Sequence, residues 1–402
     1  MSSSWGLSEA TQIDSLFSTT SNSQTQLDSL ANSALSRGID RYTGKDYAGA
    51  AMEFKRAIGL APFSDNSPKA YEYLSQAYLK MGKTDDAIKT TKAAVKTFPI
   101  DDTFRLSLGD LYFKRGQYGE AIVEYTEAVR LNPHSADNRF SLGLAYLSDG
   151  RLKEAENQFI EVSRLTPNSP VGVFGRGQVL RSLGKYNEAL EQLNKAVKLD
   201  NGFANAYLEM GYTYIDMGDM DQAQKQLAIL QRLGAASQSM ELEAYMLQSA
   251  DPQIILAYSP NGFAFYSGPG TDVSDLDSTL SEGNATKEFK MSFTFSKDMD
   301  INSVESVTNW QMEKQRGDYY LENYNYGKSI PLTEVSFPTG PSKVIYDPTS
   351  RTALLYFAIS QNSTGDGTID PSHILFKFTG KDTYGKNMAP DADEYSGFSL
   401  IV

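Results

Sequence analysis

The chain has 402 residues, of which 40% are hydrophobic and 22% are charged, and it contains no cysteine. Fifty acidic residues against 37 basic ones give a net charge of −13, which argues against a nucleic-acid partner because such proteins need a basic surface. Without cysteine and with only two histidines, the composition excludes disulfides and thiolate chemistry and nearly excludes histidine metal clusters and histidine-based triads.

Residues 1–30 form a polar N-terminal segment. The stretch MSSSWGLSEATQIDSLF has neither a basic region nor an apolar core, so it does not resemble a secretory signal, and no apolar run in the chain is long enough for a membrane span. We therefore expect a cytoplasmic location and no membrane insertion, with leaderless export to the cell surface as the alternative. Ile13, Leu16 and Phe17 follow Ser8 at helical spacing, which predicts a short helix that docks elsewhere on the chain, mediates self-association or stays a mobile tail.

A glycine recurs every 34 residues in the region that follows. Each glycine stands between two helical patterns: in residues 102–133, Phe104 and Leu108 belong to the first pattern, and Ala121 and Tyr125 belong to the second. Glycine at this place predicts a left-handed helix end, and the fixed period predicts stacked helix pairs. The five glycines are Gly82, Gly116, Gly150, Gly184 and Gly218.

This repeat resembles the tetratricopeptide repeat (TPR) family. The Leu-Gly-x-x-Tyr core of that family stands as LGDLY at 108–112 and LGLAY at 142–146, and MGYTY at 210–214 is a close variant. The early tryptophan of the family is replaced throughout, and Asn201 stands where the fifth repeat is expected to have proline. Neither departure affects the small residues that let the two helices of a repeat approach each other.

The resemblance implies an all-α superhelical solenoid over residues 31–250, with six repeats over 31–235 and a capping helix over 237–250. In the family, ligands lie in a concave groove formed by the first helices, so the expected partner is a protein or a peptide. The groove positions are mainly apolar, and the basic clamp with which some relatives hold a carboxylate is absent. The alternative is that part of these side chains only pack between repeats. The expected groove residues are Leu106, Asp110, Phe113, Phe140, Leu144, Leu147, Phe174, Gln178, Arg181, Leu208, Tyr212 and Ile215.

The pattern changes after the capping helix. Residues 251–286 are interpreted as a linker or a first strand, and alternating apolar and polar residues over 287–402 predict an all-β sandwich. Within it, FTFSKDMDINSVES at 293–306 resembles a bacterial immunoglobulin-like domain found in S-layer and other surface proteins. That resemblance implies a short helical turn after the strand and a later hairpin at 346–351. The last predicted strand is SGFSLIV at 396–402.

The chain shows no catalytic constellation, so we expect no enzyme activity, no cofactor and no metal site. Asp272, Asp275 and Asp277 lack the spacing of a calcium loop, as do Asp366 and Asp370. These aspartates are interpreted as residues of turns whose carboxylates are exposed to solvent.

Tyrosines are frequent in the stretch DYYLENYNYG. They predict either an aromatic binding face or, as the favoured interpretation, a strand and loop packed on the sandwich. The four are Tyr319, Tyr320, Tyr324 and Tyr326.

The sequence therefore leaves two functions open. The first is a non-enzymatic protein–protein interaction scaffold, in which the solenoid groove binds an apolar peptide or helix and the β-domain makes a second contact. The second is an exported or cell-surface structural protein that uses the immunoglobulin-like domain for adhesion or assembly.

Overall fold

A computed structural model describes residues 6–397, with side chains from residue 23 onward. The chain divides into two compact units, and the division falls between Leu242 and Glu243. The first unit is helical, and the second is built mainly from β-strands.

Thirteen helices follow one another through residue 249 in the described part of the chain, and the first twelve form six pairs. The predicted helical solenoid is therefore confirmed. Within the described residues, every helix is too short or too polar to cross a lipid bilayer. The helices are α1 (Gly6–Thr43), α2 (Tyr47–Leu60), α3 (Ser67–Lys80), α4 (Thr84–Thr97), α5 (Asp102–Lys114), α6 (Tyr118–Leu131), α7 (Ala136–Ser148), α8 (Leu152–Leu165), α9 (Val171–Ser182), α10 (Tyr186–Leu199), α11 (Ala204–Asp216), α12 (Met220–Arg232) and α13 (Ala236–Ser249).

Helix α1 is longer than the short helix that the sequence predicts after Ser8. It begins at Gly6 and runs to Thr43, because the sequence has no glycine or proline between residues 7 and 37 that would end it. Trp5 lies outside the described residues, and so do the side chains of Ile13, Leu16 and Phe17, on which the expected docking depends. The docking of this segment stays a prediction.

Glycine has two separate roles in the helix pairs. The five repeated glycines that follow the first helices all have φ between 72° and 80°, so the predicted left-handed helix ends are confirmed. Inside the first helices, glycine instead makes room. A Cβ at Gly109 would lie 2.5 Å from the ring of Tyr125, and one at Gly143 would lie 2.7 Å from the ring of Phe159. The first helix of each of these pairs thus receives an aromatic ring from the second.

Nine strands are described in the second unit, and the strand pairs in its sheets are antiparallel. The sheets have the orders β1-β3-β6-β5, β4-β8-β9 and β2-β7. The strands are β1 (Ile254–Tyr258), β2 (Thr271–Asp272), β3 (Thr286–Phe295), β4 (Trp310–Lys314), β5 (Lys343–Asp347), β6 (Thr352–Ser360), β7 (Thr368–Ile369), β8 (Ile374–Phe378) and β9 (Glu394–Tyr395).

The two larger sheets pack face to face over an aromatic core. The ring centre of Phe293 on β3 lies 5.3 Å from that of Trp310 on β4 and 5.4 Å from that of Phe376 on β8. Phe357 on β6 is 5.8 Å from the same Phe376 ring. Alternate residues of β6 are buried, as one face of a sheet in a sandwich requires. The predicted β-sandwich architecture is confirmed, while its immunoglobulin-like character stays a prediction.

The segment 251–286 contributes to this sandwich. Strand β1 pairs with β3, with Ala257 opposite Phe293, and the buried side chains of Phe263 and Leu280 belong to the same core. The sandwich therefore includes residues on the N-terminal side of the predicted boundary at 287.

The motif that suggested the immunoglobulin-like resemblance has a clear structural role. The Lys297 ammonium lies 2.6 Å from the Asp382 carboxylate, and both side chains are buried. Met299 is buried in the aromatic core. Asp300 caps the short helix Ile301–Glu305 by accepting a backbone N–H at 2.7 Å. The predicted helical turn is confirmed, whereas most of the predicted last strand at 396–402 lies outside the described residues.

Candidate functional site

The first helices of successive repeats lie side by side. Helix α5 approaches α7, α7 approaches α9, and α9 approaches α11 more closely than the second helices of these repeats approach one another. The first helices therefore form the inner side of a curved stack, which we call the inner face.

The middle of the inner face is apolar. Phe140, Leu144 and Leu147 stand on one side of α7 and are half-buried, with the Phe140 ring centre 5.6 Å from that of Phe159 on α8. Helix α5 adds Phe113, which is also half-buried. Because these side chains keep part of their surface in solvent, they form an apolar patch that a partner can cover. We define the apolar patch as Leu106, Phe113, Phe140, Leu144 and Leu147.

The structure places the twelve expected groove residues in two environments. Phe174, Leu208 and Ile215 are buried, and the Phe174 ring packs 5.1 Å from that of Phe203. These three side chains belong to the core of the free protein and are not accessible to a partner. The other nine are half-buried, and they are Leu106, Asp110, Phe113, Phe140, Leu144, Leu147, Gln178, Arg181 and Tyr212.

A charged cluster lies at the C-terminal end of the inner face. Arg181 on α9 forms ion pairs with Glu209 at 2.5 Å and with Asp216 at 2.9 Å, both on α11. Burial lowers the pKa of Arg181, but the Glu209 charge and the hydrogen bonds to both carboxylates outweigh it and hold this pKa above its ordinary value. Tyr212 donates to Glu241 on α13 at 2.7 Å. We call these five residues the Arg181 cluster.

A cavity of about 420 Å³ lies at the N-terminal end of the inner face, between α3 and α5. Glu72, Asp110 and Lys114 line it, and Tyr125 donates a hydrogen bond to Asp110 at 2.6 Å. Partial desolvation, and next the charge of Asp101, raise the pKa of Glu72. This end of the inner face is therefore polar and holds more carboxylates than cations.

One acidic turn of the second unit differs from the sequence interpretation. Asp370 is completely buried rather than solvated. It accepts hydrogen bonds from the backbone of Asn325 at 2.8 Å and from Ser372 at 2.9 Å, and it lies 2.8 Å from His373 Nδ1. The expectation of a solvated turn is wrong here because the backbone of Asn325, which is distant in sequence, and the neighbouring side chains of Ser372 and His373 converge on this carboxylate. The His373 Nε2 is 2.9 Å from the Leu321 carbonyl oxygen, so both ring nitrogens have structural partners.

Other acidic residues agree with the interpretation as turns. Asp277 accepts from the hydroxyl and the backbone N–H of Thr279 and pairs with Lys287 at 2.9 Å. The Thr279 hydrogen bonds, followed by Lys287, lower the pKa of Asp277 to about 2. Asp366 is exposed and accepts from Asn362. Within the described part of the chain, no group of three or more acidic or histidine side chains is arranged to hold a metal ion.

The tyrosine-rich stretch is divided between the core and the surface. Tyr324 is buried, and the Tyr326 ring lies 5.5 Å from the His373 ring. Tyr319 and Tyr320 are exposed. The same loop exposes three aliphatic side chains, so the exposed apolar loop comprises Tyr319, Tyr320, Leu321, Ile330 and Leu332.

The helix pairs, their period and the inner face define a helical repeat protein. A family model described as "TPR repeat" matches residues 109–150 and 177–218, and one described as "Tetratricopeptide repeat" matches residues 69–99. These segments are tetratricopeptide repeats, as predicted. Proteins built from such repeats are typically non-enzymatic scaffolds that bind other proteins.

Solved structures with similar folds include a tetratricopeptide repeat protein from Parabacteroides merdae, which is 17% identical, covers 55% of this chain and 91% of its own, and has a TM-score of 0.47. PilW, a type IV pilus biogenesis factor, is 17% identical, with 54% and 98% coverage and a TM-score of 0.44. The Pseudomonas aeruginosa protein pilF is 18% identical, with 55% and 99% coverage and a TM-score of 0.42. No curated protein showed significant similarity to the chain.

Proposed function

We propose that this protein is a non-enzymatic interaction scaffold whose inner face binds an apolar peptide or helix of a partner protein. The observation that carries the proposal is the apolar patch. In it, Phe140, Leu144 and Leu147 lie on consecutive turns of α7 and are half-buried. Covering half-exposed apolar surface is favourable by about 25 cal/mol per Å², so this patch supplies affinity without a charged clamp.

The exposed apolar loop of the second unit is proposed as the second contact. Leu332 is fully exposed, and Tyr319 and Tyr320 are both about two-thirds exposed or more. Large apolar side chains grouped on one loop are typical of a protein-binding surface. A cytoplasmic scaffold with these two surfaces is the primary proposal, and assembly at the cell surface through the second unit is the alternative that the same loop supports.

Affinity capture from the native cells tests the role of the apolar patch. The variant Leu144→Gln/Leu147→Gln keeps helix-forming side chains but removes apolar surface, so we expect it to lose the proteins that the wild type captures. The matched control is Val123→Gln/Ile160→Gln, which changes two exposed aliphatic residues on the second helices α6 and α8.

Circular dichroism establishes that both variants retain the wild-type helix content. If the inner-face variant is folded and captures the same proteins as the wild type, the apolar patch is not the binding site. A Leu332→Ser variant tests the loop in the same assay, and cell fractionation distinguishes the cytoplasmic scaffold from the cell-surface alternative.

A further inference from the structure

The inner face is apolar in the middle and rich in carboxylates at both ends. At the N-terminal end, Glu72 and Asp110 share the cavity with one cation, Lys114. At the C-terminal end, the Arg181 cluster contains three carboxylates, those of Glu209, Asp216 and Glu241, and a single guanidinium. Both ends therefore carry net negative charge on the same inner face.

The guanidinium in the C-terminal cluster is already satisfied. Arg181 is held between Glu209 and Asp216 and lies 5.2 Å from the ring centre of Tyr212. A partner carboxylate would have to displace one of these short ion pairs, and it would meet the remaining negative charges. The cluster is therefore unsuited to an acidic ligand.

A buried acceptor next to this cluster lacks a donor. The side-chain nitrogen of Gln178 is 3.4 Å from Glu209, while its Oε1 atom is buried and has no hydrogen-bond partner among the described residues. A buried acceptor without a partner costs free energy. An N–H donor from a bound partner would satisfy it once the Gln178 side chain turns towards the inner surface, and the nearby carboxylates favour a donor that is positively charged.

The N-terminal cavity shows the same preference for a cation. Partial desolvation and the charge of Asp101 already disfavour the ionised form of Glu72, which raises its pKa. A basic side chain placed in this cavity would stabilise the Glu72 carboxylate and contact Asp110.

We infer that the occupant of the inner face is a protein segment with an apolar centre and lysine or arginine on both sides of it. This inference rests on the proposed function and specifies the partner's chemistry. The apolar patch covers the centre of the segment, the cavity between α3 and α5 receives one basic side chain, and the Arg181 cluster receives the other. A segment with acidic flanks is rejected at both ends.

A random peptide library displayed on phage tests the inference with the full-length protein. Peptides are selected on the wild type after depletion on Leu144→Gln/Leu147→Gln, so that only binders that need the apolar patch remain. The expected result is a set of peptides with an apolar centre and lysine or arginine on both sides. Enriched peptides with no charge bias, or with acidic flanks, would overturn the inference and leave the proposed function intact. No enrichment over the depleted variant would overturn both.

A second measurement tests whether the basic residues on the two sides of the peptide contact the carboxylates of the inner face. A selected peptide is titrated against Glu72→Gln/Glu241→Gln and against the control Glu120→Gln/Glu188→Gln, which alters two carboxylates on second helices. We expect the inner-face variant to bind roughly two- to five-fold more weakly for each carboxylate removed at low salt, with a smaller difference at high salt. Equal weakening in both variants would show a general charge effect and contradict the assignment.

Discussion

The two units of this protein differ in how far apart in sequence their packing partners stand. In the solenoid, Gly143 and Phe159 pack within one repeat. In the β-sandwich, Thr286 pairs with Ser360, and Lys297 pairs with Asp382. Stacked repeats gain stability from nearest neighbours, whereas a core assembled from distant segments forms as a whole. The solenoid is therefore expected to respond to change locally and the sandwich cooperatively.

The largest expected effect comes from truncation. A fragment of residues 285–402 lacks β1 and the buried side chains of Phe263 and Leu280, so we expect it to be unfolded. A fragment of residues 243–402 keeps them and should fold, as should residues 1–250, which retain every complete helix pair.

Nuclear magnetic resonance checks this expectation by the dispersion of amide signals in each fragment. A folded 285–402 fragment would show that β1 is dispensable, and it would remove the contrast with the solenoid.

Substitution of one buried phenylalanine in each unit allows a direct comparison of local and cooperative unfolding. Phe159 in the solenoid and Phe293 in the sandwich are both fully buried, so Phe159→Ala and Phe293→Ala should each cost about 3–5 kcal/mol. Hydrogen exchange should increase mainly in α7, α8 and α9 for the first variant. It should increase through all the strands of the two larger sheets for the second.

The two variants are compared by which amides exchange faster, and less by how much faster they exchange. If Phe159→Ala exposes amides evenly from α1 to α13, the solenoid unfolds as one unit and the expected difference is absent.

A smaller loss of stability is expected when a methyl group is added where the two helices of a pair are in close contact. In Gly143→Ala the added Cβ would lie 2.7 Å from the Phe159 ring, and overpacking of this kind costs about 1–3 kcal/mol. The control Gly59→Ala adds a methyl group with nothing within 4 Å and should stabilise by about 0.4–1 kcal/mol. Urea denaturation followed by circular dichroism measures both, and a Gly143→Ala variant as stable as the control would mean that Phe159 can move aside freely.

The smallest expected effect is the response of one exposed turn of the second unit to acid. The pKa of Asp277 is lowered from 3.8 to about 2, first by Thr279 and then by Lys287. A lowered pKa in the folded state stabilises the fold above pH 3.8, and this contribution disappears as the pH falls towards 2. Asp277→Asn should therefore be slightly less stable than the wild type at pH 7, and the difference should vanish near pH 2. A difference that is constant over this range would assign the effect to the loop and not to the charge.

Local signals made most of the solenoid predictable. The five repeated glycines and the small residues of the helix pairs lie a fixed distance apart, and each acts on its own repeat. The strands β3, β5, β6 and β8 were likewise visible as alternating patterns. For residues 251–286 the sequence left open a linker or a first strand, because the pairing of β1 with β3 depends on a strand farther along the chain.

The candidate site was less predictable for the same reason. The repeat positions indicated which side chains face inwards, but they could not show that Phe174 would be buried under Phe203 or that Arg181 would bridge two carboxylates of α11. Asp370 was misinterpreted because its burial depends on Asn325, which comes from a distant segment. The position of a residue in a repeat predicts which way its side chain points. Whether that side chain is exposed, and whether its charge is paired, depends on residues of the neighbouring helices.

The packing of an aromatic ring against a glycine within one helix pair also has a consequence for how the gene can change. Since Gly109 with Tyr125 and Gly143 with Phe159 each close a repeat on itself, an in-frame duplication of one repeat would insert a ready-made unit between two others. Such an event would lengthen the inner face by one first helix and keep the ring contacts within each repeat, while a contact between repeats, such as that of the Phe159 ring with Gly175, would be made with the inserted unit. The same kind of duplication inside the sandwich would separate paired strands, so lineages of this protein are expected to vary in repeat number and not in strand number.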